Sequence, residues 1–286
     1  MAKLIFTTTG GWNNIQGFGC ASLGLAGKCD NSVDMATSLP VDLDGIVLTG
    51  TYSDVLMDIS NVSEHVLAAI ILFGNAGGEN QFMRDIQKHL DCPIVGGGAA
   101  IEPVTNRCSL ITGNSEVAVF LITDNRFTYI AETQCIHNHI LQSCKLVLED
   151  PRTILSIDGE DPVRFLARIK QLHNIPVTDF EHLTLSDERN INAHLSFSDG
   201  KIKSGRDLCE TMLLRYVSHD AVYETMREFY DDPNAVIFGC AGLSGLLDKP
   251  LDTDSLGLFL FGEVCCVDNV SEFGNLMLSK LRIIPK

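Results

Sequence analysis

The stretch GLFLFGEVCCVDNVSEFGN, residues 257–275, carries the strongest indications of both fold and function. Its first part is an apolar run that is typical of a buried strand. If the strand continues, Phe259, Phe261 and Glu263 lie on one face, so the carboxylate of Glu263 follows an apolar face. An acid buried without a partner is costly, and such groups are often functional. Glu263 is therefore a candidate ligand-binding residue, and a solvated or salt-bridged strand end is the alternative.

The composition is that of a globular protein with an acidic surface. The chain has 286 residues, 45% of them hydrophobic, and a formal net charge of −16 at pH 7. This length fits one large domain or two ordinary ones, and the charge repels nucleic-acid backbones and anionic lipids. The longest apolar run, residues 66–74, is about half of the roughly 20 residues that a membrane span needs. Since no signal-peptide core is visible, we expect a cytoplasmic protein that binds neither nucleic acid nor membranes.

The ten cysteines are spread along the chain, and none forms a C-x-x-C pair. Most stand in apolar or strand-like surroundings, which favours free buried thiols over disulfides or zinc ligands. His137, His139 and Cys144 could share a metal on a strand face, but no second cluster completes a four-ligand set. We therefore predict no metal site and no cofactor.

The hydrophobic pattern predicts a mixture of strands and helices. Strands are predicted at residues 45–53, 92–101, 116–123, 126–136, 153–159, 255–266 and 275–284, with the third and fourth forming an antiparallel hairpin. Residues 234–250 are predicted to be a strand that runs into a small-residue loop. Amphipathic helices are predicted at 79–90, 161–173 and 220–232. This order predicts an α/β or α+β fold, in which mixed β-sheets are covered by helices in a layered sandwich with two related halves.

An internal repeat of element order supports the two halves. In the first half, a helix at 79–90 leads to a glycine-ended strand at 92–101 and then to another strand. In the second half, a helix at 220–230 leads to AVIFGCAGLSG (235–245) and then to LGLFLFGEV (256–264). Such a repeat places the two glycine turns in similar positions. Strand ends of this kind expose backbone N–H groups to ligands in α/β sheets.

Three segments resemble parts of the FIST family, named for F-box and intracellular signal transduction. CPIVGGGAAI (92–101) looks like the strand and glycine turn of the FIST N-terminal region. VIFGCAG (236–242) resembles the Gly/Ser-Cys stretch of the C-terminal region. FLFGEV (259–264) and SEFGN (271–275) resemble that region's Gly-Glu and Glu-Phe-His-Asn ending. The resemblance covers the chain from about residue 33 to the end.

The resemblance implies both an organisation and a function. Residues 1–150 would form the FIST N-terminal-like region and residues 151–286 the C-terminal-like region. FIST domains are sensory modules for small ligands, with amino acids as the proposed class, and many are fused to signalling output domains. We therefore expect a non-enzymatic sensor in signal transduction, with a small-molecule ligand and a separate signalling output protein as partners. Gly274 and Leu243 depart from the family pattern, because they replace a His and an Arg that could hold a ligand.

These observations predict one ligand site at the strand ends. Backbone N–H groups at two glycines and Cys240 would take the carboxylate of an amino acid, and Glu263 would take its amine. The predicted ligand-binding residues are Gly96, Gly97, Cys240, Gly262, Glu263 and Asn275. Glycines that only permit a positive φ, and a buried thiol that fills a gap, are the structural alternatives. Two other functions stay open: a cysteine-dependent hydrolase or transferase using Cys240, and a ligand-free scaffold protein.

Overall fold

The computed structural model describes the backbone of residues 4–8, 21–25, 35–38, 43–62, 65–74, 78–98, 116–175, 182–240, 243, 246–247, 256–260 and 262–286. Within these ranges the chain forms four helices: α1 (Tyr52–Val62), α2 (Glu79–Ile86), α3 (Pro162–Leu172) and α4 (His219–Tyr230). None of these helices is long and apolar enough to cross a membrane.

The strands of the described ranges form four sheets. A three-stranded sheet contains, in spatial order, β2 (Ala21–Leu25), β1 (Leu4–Thr8) and β3 (Met35–Ser38). A six-stranded sheet contains β19 (Val270–Gly274), β18 (Glu263–Val267), β6 (Ile94–Gly98), β5 (Ala68–Phe73), β7 (Val117–Ile122) and β4 (Gly45–Gly50). A four-stranded sheet contains β17 (Leu256–Leu260), β16 (Ala235–Cys240), β20 (Met277–Pro285) and β8 (Phe127–Cys135). A seven-stranded sheet contains β12 (Asn192–Ala193), β11 (Leu183–Ser186), β15 (Thr211–Tyr216), β9 (His139–Asp150), β10 (Thr153–Ile157), β14 (Lys201–Ser204) and β13 (Leu195–Ser198).

The six-stranded and four-stranded sheets pack face to face around a shared apolar core. The helices α1 and α2 cover the outer face of the first sheet, and α4 covers the outer face of the second. Strands β5 and β7 are buried at every position, which is why their sequences are continuous apolar runs. This central sandwich has four layers, helix–sheet–sheet–helix, and it confirms the predicted class of mixed sheets covered by helices.

The two halves of the sandwich repeat one order of elements. In the first, β4, α1, β5, β6 and β7 occur in this order, with α2 between β5 and β6, and β5 is parallel to β6 but antiparallel to β7. The second half, apart from insertions, has the order β8, α4, β16, β17 and β20. In it, β16 is parallel to β17 but antiparallel to β20. The alignment of the repeat from the sequence is therefore wrong, because α4 corresponds to α1 and β16 to β5. The motif F-G-x-A-G, at 73–77 and 238–242, is the signal that marks the correct pair of strands.

The seven-stranded sheet is inserted between β8 and α4 and has its own apolar core, which α3 helps to form. Pro162 lies in the first turn of α3, and Asp161 caps the helix by accepting a hydrogen bond from the backbone N–H of Arg164. The expected boundary between residues 150 and 151 lies in the turn between β9 and β10, which pair in this sheet. The assignment of residues 1–150 and 151–286 to two FIST regions stays a prediction.

The predicted hairpin of residues 116–123 and 126–136 is wrong. Strand β7 pairs with β4 and β5, whereas β8 pairs with β20, so the chain crosses from one sheet to the other between them. Asp124 holds this crossing in place. Its carboxylate accepts hydrogen bonds from the backbone N–H groups of Asp44 at 3.2 Å and Arg126 at 3.0 Å, and the Tyr129 hydroxyl donates to its carbonyl oxygen at 2.8 Å.

The predicted strand at 255–266 is also wrong, because the chain changes sheet within it. Strand β17 lies in the four-stranded sheet and β18 in the six-stranded sheet, and Gly262 between them has a φ of 87°. The periodicity argument that placed Glu263 on the same face as Phe259 therefore fails. Strand β18 then returns as β19 through Asp268 and Asn269, whose φ values of 51° and 62° suit a type I′ hairpin turn.

Candidate functional site

Four of the six predicted site residues meet where β6 and β18 pair. The pairing sets Glu263 opposite Gly97 and Val264 opposite Gly96. The backbone N–H of Gly98 donates to the carbonyl oxygen of Gly262 at 2.9 Å, which extends the contact to the residue before the start of β18. The structure thus brings Gly96, Gly97, Gly262 and Glu263 together from distant parts of the chain.

The glycines of β6 are explained by the packing of the sheet. A Cβ on Gly96, whose φ is 139°, would lie only 1.8 Å from the carbonyl oxygen of Ile71 in β5. Strand β6 also has a paired neighbour on each side, β5 and β18. Its backbone polar groups are therefore engaged largely by strand pairing. The proposed contact between these N–H groups and a ligand carboxylate stays a prediction.

Glu263 is fully buried, with none of its surface exposed. Its Oε2 accepts a hydrogen bond from the backbone N–H of Met277 at 3.1 Å. Burial raises the pKa of Glu263 well above its usual range, and its contacts with Met277, the Cys240 thiol and Gly262 offset only part of that rise. Its Oε1 has no partner in hydrogen-bonding geometry within the described ranges. The surroundings of Glu263 therefore favour a protonated, neutral carboxyl.

Cys240 ends β16 beside this carboxyl and is 6% exposed. Tyr230 of α4 lies in the same apolar cluster and is fully buried. Burial raises the pKa of the Tyr230 hydroxyl, and Glu263 and Cys240 raise it further. A reactive thiolate needs positive surroundings, whereas these two neighbours of Cys240 are an acid and a phenol. This environment disfavours Cys240 as a nucleophile.

Asn275, the sixth predicted residue, packs against Gly262. A Cβ on Gly262 would lie 2.8 Å from Nδ2 of Asn275 and 2.3 Å from Cζ of Phe273, so glycine lets both side chains approach the backbone. The backbone N–H of Asn275 donates to the carbonyl oxygen of Asn192 at 3.0 Å, which links the sandwich to the inserted sheet. Its Oδ1 is buried and has no hydrogen-bond partner in the described part of the chain. Glu263 also carries a buried oxygen of this kind.

Glu272, the second acid of the opening stretch, has a structural role. Its carboxylate pairs with Arg189 and, at 3.4 Å, with Arg206, both from the inserted sheet. The adjacent Phe273 packs edge-on against Phe73 of the sandwich, with the ring centroids 5.6 Å apart. The hairpin of β18 and β19 is thereby attached to both parts of the fold.

The two departures from the FIST pattern fall at tightly packed positions. A Cβ on Gly274 would lie 2.7 Å from Cγ2 of Ile191, so the inserted sheet packs directly against the backbone there. Leu243 is fully buried in the apolar cluster around α4. Close packing therefore explains both Gly274 and Leu243.

Sequence reasoning missed an open cleft of about 530 Å³ beside this site. The cleft lies between β8 of the sandwich and the inserted sheet, and Met277, whose N–H binds Glu263, also lines it. The full lining is Thr133, Gln134, Cys135, Asn138, Arg189, Asn190, Arg215, Val267 and Met277. Arg215 within the otherwise apolar strand TMLLRY was the available signal.

No protein-family model matches the chain, and no curated protein is significantly similar to it. The resemblance to the FIST family therefore stays a prediction, and the interpretation of function depends on the geometry described above.

Proposed function

We propose that this chain is a non-enzymatic binding module for a small metabolite, an amino acid or a related compound, and that it communicates the bound state to an output protein. The observation that carries the proposal is Glu263, a fully buried carboxyl whose Oε1 has no partner among the described residues. Buried polar groups without partners are rare and need an explanation. Acids perturbed in this way occur preferentially at functional sites. Asn275, whose side chain packs against Gly262, adds a second buried oxygen without a partner among the described residues.

The protonation of Glu263 limits what it can bind. As a neutral acid, it donates its O–H to a carbonyl or carboxylate oxygen of a ligand. To hold the ammonium group of an amino acid, Glu263 must lose its proton, because a nearby positive charge favours the carboxylate form. An amine bound at Glu263 therefore releases a proton, and an oxygen acceptor does not. Calorimetric titration in two buffers of different ionisation enthalpy separates these two modes.

The main alternative is a hydrolase or transferase that uses Cys240. Two neighbours of Cys240 are the Glu263 carboxyl and the Tyr230 phenol, whereas a reactive thiolate needs positive surroundings. We expect iodoacetamide to label Cys240 in the folded protein no faster than the exposed Cys209. Much faster labelling of Cys240 would support catalysis instead of binding.

A thermal-shift screen of the full chain against amino acids and their keto acids tests the proposal. A ligand at a hundred times its Kd stabilises the folded protein by about 2.7 kcal/mol, which is readily measured. We expect a saturable shift from one compound class, and at least tenfold weaker binding of that class by Glu263→Gln, which keeps the shape but removes the carboxyl.

Glu149→Gln is the matched control, because it removes a half-exposed carboxylate that pairs with Lys201 on the inserted sheet. This variant should bind like the wild type. A normal unfolding transition with no shift from any compound contradicts the proposal and favours the ligand-free scaffold. Equal shifts in the wild type and Glu263→Gln would exclude an amine bound at Glu263, since only the carboxylate can hold one.

A further inference from the structure

The cleft beside β8 has a polar wall that the proposed function does not use. The inserted sheet and its turns contribute Arg189, Asn190 and Arg215 to it, and the sandwich contributes the exposed Gln134 and the buried Met277 among others. The cleft is open to solvent on one side and large enough for a small metabolite. Its chemistry is therefore set mainly by the arginines.

Arg215 is only 7% exposed, yet the described part of the chain gives it no acidic partner. Its Nε donates to Oγ of Ser186 at 2.6 Å, one Nη donates to the carbonyl oxygen of His137 at 3.2 Å, and the other donates to Oδ1 of Asn190. All three acceptors are neutral, and within the described ranges none of its bonds reaches a carboxylate. Because a guanidinium group has five N–H donors, two of them stay available.

Two other arginines near this wall are already paired with acids. Arg206 binds the carboxylates of Asp187 at 3.2 Å and Glu272 at 3.4 Å, and Arg189 also pairs with Glu272. In the described part of this region, Arg189 and Arg206 pair with these two carboxylates, and Glu188 is a third acid close to Arg189. Arg215 is thus the arginine here whose hydrogen bonds go to neutral acceptors alone, and its positive charge attracts small anions.

We propose that the cleft binds the carboxylate or phosphate group of a small metabolite, with Arg215 as the main contact. A planar guanidinium group with two unused N–H donors suits an oxyanion, which it can hold with two parallel hydrogen bonds. A buried charge without a counter-ion is unfavourable, and the anion supplies one. Asn190 accepts from Arg215 through Oδ1, so its amide N–H groups are oriented by the same contact. This site differs from the one at Glu263 and does not depend on the proposed function.

Changing the charge of the cleft wall tests the proposal without disturbing the core. Gln134 is exposed and lines the cleft. At constant ionic strength, inorganic phosphate and succinate are titrated into the full chain by calorimetry. We expect Gln134→Glu to weaken anion binding about three- to tenfold and Gln134→Lys to strengthen it by a similar factor, because a unit charge a few ångströms away changes the binding energy by that order.

Gln171→Glu and Gln171→Lys are the matched controls, since Gln171 is exposed on α3 of the inserted sheet. They make the same charge changes and should alter the affinity less than about twofold, because solvent and salt screen distant charges. Equal effects at positions 134 and 171 would reduce the result to net charge and overturn the proposal. Absence of saturable binding of both probes would overturn it too.

Two further variants test the role of the Arg215 guanidinium group and the independence of the cleft from the site at Glu263. Arg215→Lys keeps the charge but loses the planar fork, so we expect at least about tenfold weaker binding, and the Gln134 pair still decides if this variant does not fold. Binding of phosphate alone assigns the site to phosphorylated metabolites, and binding of succinate alone assigns it to carboxylic acids. Glu263→Gln should bind the preferred anion like the wild type, and loss of anion binding in Glu263→Gln would contradict a separate site.

Discussion

Glu263 and Arg215 are both buried, ionisable and without an oppositely charged partner among the described residues, but the fold accommodates them differently. Burial raises the pKa of Glu263, so the acid gives up its charge. An arginine stays charged at every physiological pH, so Arg215 is held by three neutral acceptors at the edge of an open cleft. A buried acid can thus become neutral, whereas a buried arginine must be solvated by the protein or paired with an anion.

The largest expected effect comes from separating the strands that place Glu263. In Gly96→Ala, the new Cβ would lie 1.8 Å from the carbonyl oxygen of Ile71, and the φ of 139° is unfavourable for alanine. We expect the free energy of unfolding to fall by at least about 4 kcal/mol, which is a large part of the stability of an ordinary domain. Unfolding in urea, followed by far-UV circular dichroism, measures this loss.

The control for that variant is Gly159→Ala. Gly159 also has a positive φ, of 80°, but nothing lies within 4 Å of its missing Cβ. Its substitution should cost only the backbone strain, about 1–2 kcal/mol. Similar losses at the two positions would show that φ, and not the contact with β5, explains Gly96.

The next effect measures what the buried guanidinium group of Arg215 contributes to stability. Arg215→Met leaves Ser186 Oγ without this donor and the His137 carbonyl with the weaker donor Cys135 Sγ at 3.6 Å, and a buried acceptor left unsatisfied costs about 1–3 kcal/mol. Removal of an unpaired charge offsets part of this cost, so we expect a net loss of about 2 kcal/mol in chemical unfolding. Arg164→Met, at an exposed position of α3, should change stability by less than about 0.5 kcal/mol. If Arg215→Met stabilises the protein, the unpaired charge outweighs the three hydrogen bonds.

Local sequence patterns were sufficient for most of the individual elements. The helices predicted at 79–90, 161–173 and 220–232 correspond to α2, α3 and α4. Helix α1 was not predicted, because only Val55 and Ile59 of its eleven residues are buried and its apolar face is narrow. Pairing between strands was harder, since β17 and β18 follow each other closely and yet enter different sheets. That choice depends on packing between distant segments, which a local pattern does not contain.

The candidate site, too, was predictable from local sequence patterns only in part. Gly96 and Glu263 could be found, because each has an unusual residue type at the end of an apolar strand. The cleft could not be found in this way, since it combines β8, β15, β20 and the turn before β12. Arg215 alone was a visible anomaly, and its partners became evident only with the inserted sheet in place.

The smallest expected effect compares Glu263 with Asp124, a second buried acid. The Asp124 carboxylate binds the Arg126 guanidinium, which holds its pKa well below the usual range. An acid with a lowered pKa stabilises the fold above its unfolded pKa and loses that contribution as the pH falls. An acid with a raised pKa, such as Glu263, has the opposite sign, because stability is lost as the pH rises from the unfolded pKa towards the folded one. The two acids therefore predict opposite pH dependence.

Replacing each of these two acids with its isosteric amide measures the opposite pH dependence. Relative to the wild type, Glu263→Gln should gain about 1.4 kcal/mol at pH 5.5, roughly one unit above the usual carboxyl pKa, and the gain should vanish below about pH 4. Asp124→Asn should instead be less stable than the wild type at pH 7, and its deficit should shrink as the pH falls below about 4, where the wild-type carboxylate begins to lose its advantage. Urea unfolding of the three proteins between pH 3.5 and 7 measures both trends. If Glu263→Gln shows no gain on raising the pH, the carboxylate of Glu263 has a cationic partner in solution. Glu263 would then be a charged, paired acid like Asp124, and its contrast with Arg215 would not hold.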